Sequence, residues 1–187
     1  MKIDNVLILG STLLTQLVVE KLNNHYNLVG YVPSSNPTKE GNIDLPVVGL
    51  DEKCDIRLSV QYDKIIKDTR NTYNLHTGLL PNYGGTNVLD YCIKNNEYEQ
   101  GLTFHKMTDK LDYGPIISKI TYPVLPKDTA FDLYKRGLLL GADFALASLK
   151  LLETLSNKDV NSCFSSEPIL YKRGDFKVDD RIKEFVL

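Results

Sequence analysis

Two residues that suit base and oxyanion-stabilising chemistry are separated by one residue in Thr72-Tyr73-Asn74-Leu75-His76, a short predicted strand. Residues two apart on a strand point to the same face, so Asn74 and His76 project together. A histidine supplies a base near neutral pH, and an asparagine supplies a neutral donor to a developing oxyanion. The strand runs into Thr77-Gly78-Leu79-Leu80-Pro81, the kind of place where the carboxyl end of a strand opens into a ligand crevice in α/β sheets. A satisfied core histidine beside a turn asparagine fits the same spacing. Further on, Asp112 precedes Tyr113-Gly114 in a polar loop after a predicted strand that ends near Met107. An aspartate on a loop near a histidine orients the imidazole and stabilises its protonated form; alone, it also reads as a turn former.

The elements that must position these residues follow from hydrophobic periodicity. Val6-Leu7-Ile8-Leu9, ended by Gly10, predicts a buried parallel strand. Ser11 or Thr12 then caps a helix carrying Leu13, Leu14, Leu17, Val18 and Leu22. Leu28 to Val32 is the next strand, and this βαβ opening predicts an α/β fold, a Rossmann-like doubly wound, mostly parallel sheet. Pro33 to Gly49 reads as an irregular loop. Strands are predicted at Ile56 to Val60, Leu102 to Met107 and Ile116 to Val124, and helices at Val88 to Asn95 and, capped by Asp128 or Thr129, Thr129 to Leu155. Cys163 to Asp175 reads as a hairpin or an extended excursion. One domain is expected over residues 1–187, with a Rossmann-like core at 1–155 and a short, hairpin-like C-terminal extension at 156–187.

Gly10-Ser11-Thr12 between strand and helix invites a dinucleotide-site reading. That fingerprint needs three glycines, and Thr12 and Thr15 occupy the later positions here, which favours a plain turn over an NAD site. Ser11 and Thr12 at a helix start still suit an anion.

With 187 residues, a 42% hydrophobic set and 25% charged residues, the chain reads as a folded globular domain. A formal charge of −2 argues against a protein that binds nucleic acid by neutralising phosphates. Cys54, Cys92 and Cys163 show no metal-ligand spacing and read as free thiols. No apolar run approaches the roughly 20 residues that span a bilayer, so no membrane association and a cytoplasmic location are expected.

Asn74-Leu75-His76, Leu79-Leu80-Pro81, Gly101-Leu102-Thr103-Phe104-His105 and Leu111-Asp112-Tyr113-Gly114-Pro115-Ile116 together resemble the signature of the formyltransferases that use 10-formyltetrahydrofolate. The order and separations agree as well. The resemblance implies that Asn74, His76 and Asp112 are catalytic, that N10-formyltetrahydrofolate is the co-substrate, and that no metal is needed. It places the pterin against Gln61, Tyr62, Lys64, Ile65 and Ile66 and against Met107, Thr108, Asp109 and Leu111. The stretch Ser59 to Ile66 and the tail Tyr171 to Phe176 are most similar to the nucleotide-sugar N-formyltransferases of glycan biosynthesis. The implied acceptor is the amine of a dTDP- or UDP-linked amino-dideoxy sugar, most often at C4. Tyr83, Gly84, Gly85, Thr86 and Asn87, with Ser11, Thr12 and Lys106, are the expected substrate contacts. Many relatives carry an arginine in the loop after the catalytic strand, and its absence here leaves the pyrophosphate without an evident partner. A glycinamide ribonucleotide transformylase-like enzyme and a non-catalytic formyltransferase-like binding protein are the alternatives; a tRNA-directed member would need a basic surface and a further domain. A homodimer and a monomer both fit the amphipathic pattern.

Overall fold

In a computed structural model, described for residues 2–173, 176 and 179–186, the strands are β1 (Asn5–Leu9), β2 (Asn27–Val32), β3 (Ile56–Val60), β4 (Thr72–His76), β5 (Gly84–Gly85), β6 (Glu99–Lys106), β7 (Ile116–Pro123) and β8 (Leu170–Tyr171). The helices are α1 (Leu13–Leu22), α2 (Val88–Lys94), α3 (Ala130–Thr154), α4 (Asn157–Ser162) and α5 (Asp180–Glu184). Six strands form one sheet in the order β2-β1-β3-β4-β6-β7. The β1–β2, β1–β3 and β3–β4 pairs are parallel, whereas β4–β6 and β6–β7 are antiparallel. The mostly parallel α/β sheet expected from the βαβ opening is therefore present, with an antiparallel edge.

Alternation along the strands divides the sheet into two unlike faces. Val6, Ile8, Ile56, Leu58, Val60, Tyr73, Leu75, Leu102 and Phe104 turn towards α1 and α3 and form the main core with Leu14, Val18, Leu138, Ala145, Leu149 and Leu152. Tyr73 and Phe104 stack with centroids 5.6 Å apart, an arrangement that contributes about 0.5–1.5 kcal/mol beyond the burial of the rings. Helices α1 and α3 approach closely because Gly141 leaves room for Leu14; a Cβ there would lie 2.5 Å from Leu14 Cδ1. Both helices start on reciprocal capping boxes, Thr12 with Thr15 and Thr129 with Asp132.

The opposite face carries Leu7, Leu9 and Val32 under a cover made of loops. Val48, Leu50, Tyr62, Ile66 and Met107 pack there. The cover is tied down by polar contacts: Val47 bridges to Tyr31, and Asp63 accepts from the Ser35 and Asn36 amides at 2.8 and 2.7 Å. The sheet face that bears Asn74 and His76 is thus covered, over β1 and β2, by long loops anchored through polar contacts.

The expected helix and strand positions agree with those found to within a few residues. Strand β6 begins three residues before the expected Leu102, because Glu99 pairs with Pro123 on β7. The tail is the extended excursion of the two expected forms: β8 pairs with β5 and not with itself. Of the tail residues similar to the sugar enzymes, Gly174 and Asp175 lie outside the described residues. No helix among the described residues is long and apolar enough to cross a membrane.

Candidate active site

Strand β4 ends the parallel part of the sheet, and β6 runs antiparallel beside it with Asn74 opposite His105 and His76 opposite Thr103. All four side chains stand on the loop-covered face. Asn74 Nδ2 donates to His105 Nε2 at 3.2 Å, and His105 Nδ1 donates to the Lys106 carbonyl at 3.1 Å. The second bond fixes the tautomer, since an Nδ1–H leaves Nε2 as the acceptor that Asn74 requires. Burial, and secondarily the nearby His76, push the His105 imidazole down from 6.5 to about 4, against the pull of the Asp112 carboxylate and the Lys106 carbonyl. His105 is therefore neutral at neutral pH and keeps one Asn74 N–H occupied. Among the described residues the second N–H of that amide has no acceptor.

His76 Nε2–H donates to the Tyr83 carbonyl at 2.6 Å, which turns Nδ1 towards Asp112. Asp112 Oδ1 lies 3.7 Å from His76 Nδ1 and 3.8 Å from His105 Nε2, while Oδ2 accepts from the Gly85 amide at 2.7 Å. The side chains of Asp112, His76 and His105 are only 6%, 8% and 2% exposed. His76 Nδ1 and Asp112 Oδ1 thus face one another, the arrangement in which a carboxylate orients an imidazole. Both separations exceed a direct hydrogen bond. Asp112 adopts φ +48°, a left-handed conformation that Asp tolerates better than most residues and that is characteristic of functional loops.

The turn after β4 is stapled from β6. Thr103 Oγ1 donates to the Gly78 carbonyl at 2.7 Å and accepts from the Leu80 amide at 3.1 Å; Gln100 Oε1 accepts from the Leu79 amide at 3.2 Å. Gly78 is required by proximity, because a Cβ there would stand 2.4 Å from the Tyr83 carbonyl and 2.8 Å from His76 Nε2.

Asn74, His76 and Asp112 are thus brought together, and His105 is the participant that residue-by-residue reading passed over. The sequence signal was limited to its place in the Gly101-Leu102-Thr103-Phe104-His105 motif, on the same strand face as Thr103; its pairing opposite Asn74 is set by β6. The two expected pterin loops meet over β1, where Tyr62, Ile66 and Met107 share one apolar cluster with Leu7 and Leu9. Ile65 and Leu111 stay 94% and 63% exposed in those loops, apolar surface of the kind that a flat heterocycle covers. Gln61, at φ +53°, accepts from the Thr12 hydroxyl at 2.8 Å. Lys64 donates to the Pro33 carbonyl at 3.3 Å, Thr108 to the Tyr113 carbonyl, and Asp109 is exposed.

The expected substrate contacts separate into two groups. Thr86 and Asn87 lie at or near the surface, at the start of α2. Ser11 and Thr12 are only 4% and 2% exposed; Ser11 Oγ accepts from the Ser34 amide at 3.2 Å, and Thr12 caps α1. Gly10, at φ +131°, fits against the Val60 carbonyl, which a Cβ would approach to 2.2 Å; its role is close strand packing. Tyr83 buries its ring and gives its hydroxyl to Glu97 at 2.7 Å, so it serves the site through its carbonyl. Gly85 serves through its amide, and Gly84 lies between Asp112 and Leu170. Lys106 reaches Asn161 at 3.1 Å. Among the described residues no group of three or more His, Cys, Asp or Glu side chains is placed to hold a metal ion.

The sheet gathers Asn74, His76, His105 and Asp112 beside the carboxyl end of β4, a neutral N–H donor, two imidazoles and a carboxylate of the kinds that acyl transfer uses. The formyl transferase family model matches residues 50–147, over half of the 187 residues, and the chain belongs to that family. Its relatives include the bifunctional polymyxin resistance protein ArnA of Wigglesworthia glossinidia brevipalpis, 36% identical over 61% of this chain and 19% of that protein. The GDP-perosamine N-formyltransferase of Brucella melitensis is 33% identical over 56% of this chain and 40% of its own. Methionyl-tRNA formyltransferases are relatives too. Among solved structures, the N-formyltransferase from Helicobacter canadensis, in complex with folinic acid and dTDP-3-aminofucose, shares the fold with a TM-score of 0.77 and 24% identity over 93% of this chain and 72% of that one. The chain spans less than two thirds of the length of the curated relatives it matches.

Proposed function

We propose that the protein moves the formyl group of N10-formyltetrahydrofolate to the amine of a nucleotide-linked amino sugar, a dTDP- or UDP-linked 4-amino-4,6-dideoxy sugar, in the cytoplasm. The observation that carries this reading is the Asp112 carboxylate held between His76 and His105 beside Asn74. The folate supplies the formyl carbon. As an amine attacks it, negative charge develops on the formyl oxygen, and the free N–H of Asn74 is the donor for that charge. Loss of one such donor costs about 10²–10³-fold in rate. His76 Nδ1 and Asp112 Oδ1 form the proton-holding pair. They take the proton from the attacking amine and return one to the leaving folate nitrogen, acting as base and then acid.

Support for a sugar acceptor comes from the GDP-perosamine relative; Ser11 and Thr12, expected as substrate contacts, are instead spent on capping α1 and on Ser34 and Gln61. The test is formyl transfer from 10-formyltetrahydrofolate to a panel of dTDP-, UDP- and GDP-linked amino sugars, glycinamide ribonucleotide and methionyl-tRNA. Turnover confined to an amino-sugar nucleotide supports the reading. Turnover confined to either of the last two acceptors contradicts it.

A further inference from the structure

The segment Tyr83 to Gly85 holds both halves of the proton-holding pair: the Tyr83 carbonyl accepts the His76 Nε2–H, and the Gly85 amide donates to Asp112 Oδ2. This segment is not part of the six-stranded sheet. Its strand partner is the tail, through β5–β8 pairing in a separate two-stranded sheet. Ile169 N–H donates to the Pro81 carbonyl at 2.8 Å, Gly84 N–H to the Ile169 carbonyl at 3.0 Å, and Thr86 N–H to the Tyr171 carbonyl at 3.0 Å. The Tyr171 ring lies between two others, 5.2 Å from Tyr83 and 4.3 Å from Tyr91, both stacked. Asn95 Nδ2 joins the outer ends by donating to the Tyr83 and Tyr171 hydroxyls at 3.0 and 3.2 Å. The fit leaves no slack: a Cβ on Gly85, which sits at φ +86°, would lie 2.1 Å from the Tyr171 carbonyl.

We infer that Tyr171, which lies beyond the family-matched residues 50–147, is a positioning residue that sets the approach of His76 to Asp112 by clamping the Tyr83–Gly85 segment from outside. The inference rests on the formyl-transfer reading for its kinetic consequence, but its structural part stands apart from it. Two routes run from the ring to the pair. One passes through the stacked Tyr83 side chain to the Tyr83 carbonyl and His76. The other passes through the β8 backbone to Gly85 and Asp112. Ring stacking, and not the Tyr171 hydroxyl, carries most of the clamp, since among the described residues the hydroxyl has the Asn95 amide alone as partner. Displacing reacting groups by about 1 Å costs on the order of 10²-fold in rate.

The experiment compares wild type with Tyr171→Ala, Tyr171→Leu and Tyr171→Phe by steady-state kinetics and by imidazole ¹⁵N–¹H spectra. The chain has three histidines, so the spectra are readily assigned. The leucine variant fills the volume under the loop without a stacking ring and guards against a misfolded alanine variant. The expected result is a fall in kcat of tenfold or more for the leucine variant, with the folate KM within twofold of wild type. The His76 Nε2–H signal is lost to solvent exchange, the His105 Nδ1–H signal is retained, and Tyr171→Phe restores wild-type behaviour in both readouts. A leucine variant with an intact His76 signal overturns the inference. If wild type formylates no acceptor, the proposed function fails, while the spectra still decide whether Tyr171 positions His76.

Discussion

Asn74 and His105 face one another across the antiparallel β4–β6 pair, and the amide of the first donates to the ring nitrogen of the second at 3.2 Å. The bond exists because the Lys106 carbonyl holds the His105 proton on the other nitrogen. Replacing His105 by alanine frees the Asn74 amide to rotate. The expected outcome is a kcat reduced by about 10²-fold, the scale of losing an oriented oxyanion donor, with little change in the folate KM. An unchanged kcat in a folded His105→Ala protein would show that Asn74 needs no anchor.

The same histidine gives a pH signature. Its imidazole binds a proton near 6.5 in the unfolded chain and only near about 4 when folded, chiefly because burial disfavours the charged ring. On acidification from pH 6.5 towards 4 the unfolded state therefore takes up the proton first, and this group's contribution to stability, complete above pH 6.5, is lost across that window. Denaturant midpoints measured over the range should fall more steeply for wild type than for His105→Asn. Parallel slopes would mean that His105 is not held neutral by the fold.

Gly78→Ala puts a methyl group against the Tyr83 carbonyl and His76 Nε2. One of the two must move, so the bond between them breaks. Turnover should fall at least tenfold and the melting temperature by several degrees, with destabilisation of about 1–3 kcal/mol as for overpacked sites. Calorimetry together with kinetics checks both.

At Thr129 the effect should be on stability alone. Its hydroxyl caps α3 and bonds Asp132, far along the chain from the site. Thr129→Ala is expected to cost about 0.5–2 kcal/mol in denaturant unfolding while leaving turnover per folded molecule unchanged.

Much of this arrangement was legible in the residues. Glycine and threonine stops bounded the strands, and α3 was marked by its apolar period and by Thr129. Asn74 and His76 were readable as a same-face pair from strand geometry, whereas Asp112 came only through the family signature, because a loop aspartate before Tyr-Gly carries no local sign of its partner. Strand direction was harder to read. A strand that runs antiparallel into a parallel sheet has the same alternation as one that runs with it, so the Asn74–His105 opposition was hidden until β6 was placed. The two-residue strands β5 and β8 have no period to detect; their pairing is set by long-range closure over Gly84 and Gly85. Ser11 and Thr12 read both as a helix cap and as anion contacts, because a helix-start hydroxyl reads alike whether it faces an anion or caps its own helix.

The proposed proton movement between His76 and Asp112 in formyl transfer is decided by Asp112→Asn. The substitution keeps the shape of the side chain and an oxygen for the Gly85 amide, but removes the charge facing His76. Formyl transfer from 10-formyltetrahydrofolate to the best amino-sugar acceptor should fall by at least about 10²-fold, with the protein still folded by circular dichroism. A folded Asp112→Asn protein that retains near-normal kcat would contradict the assignment.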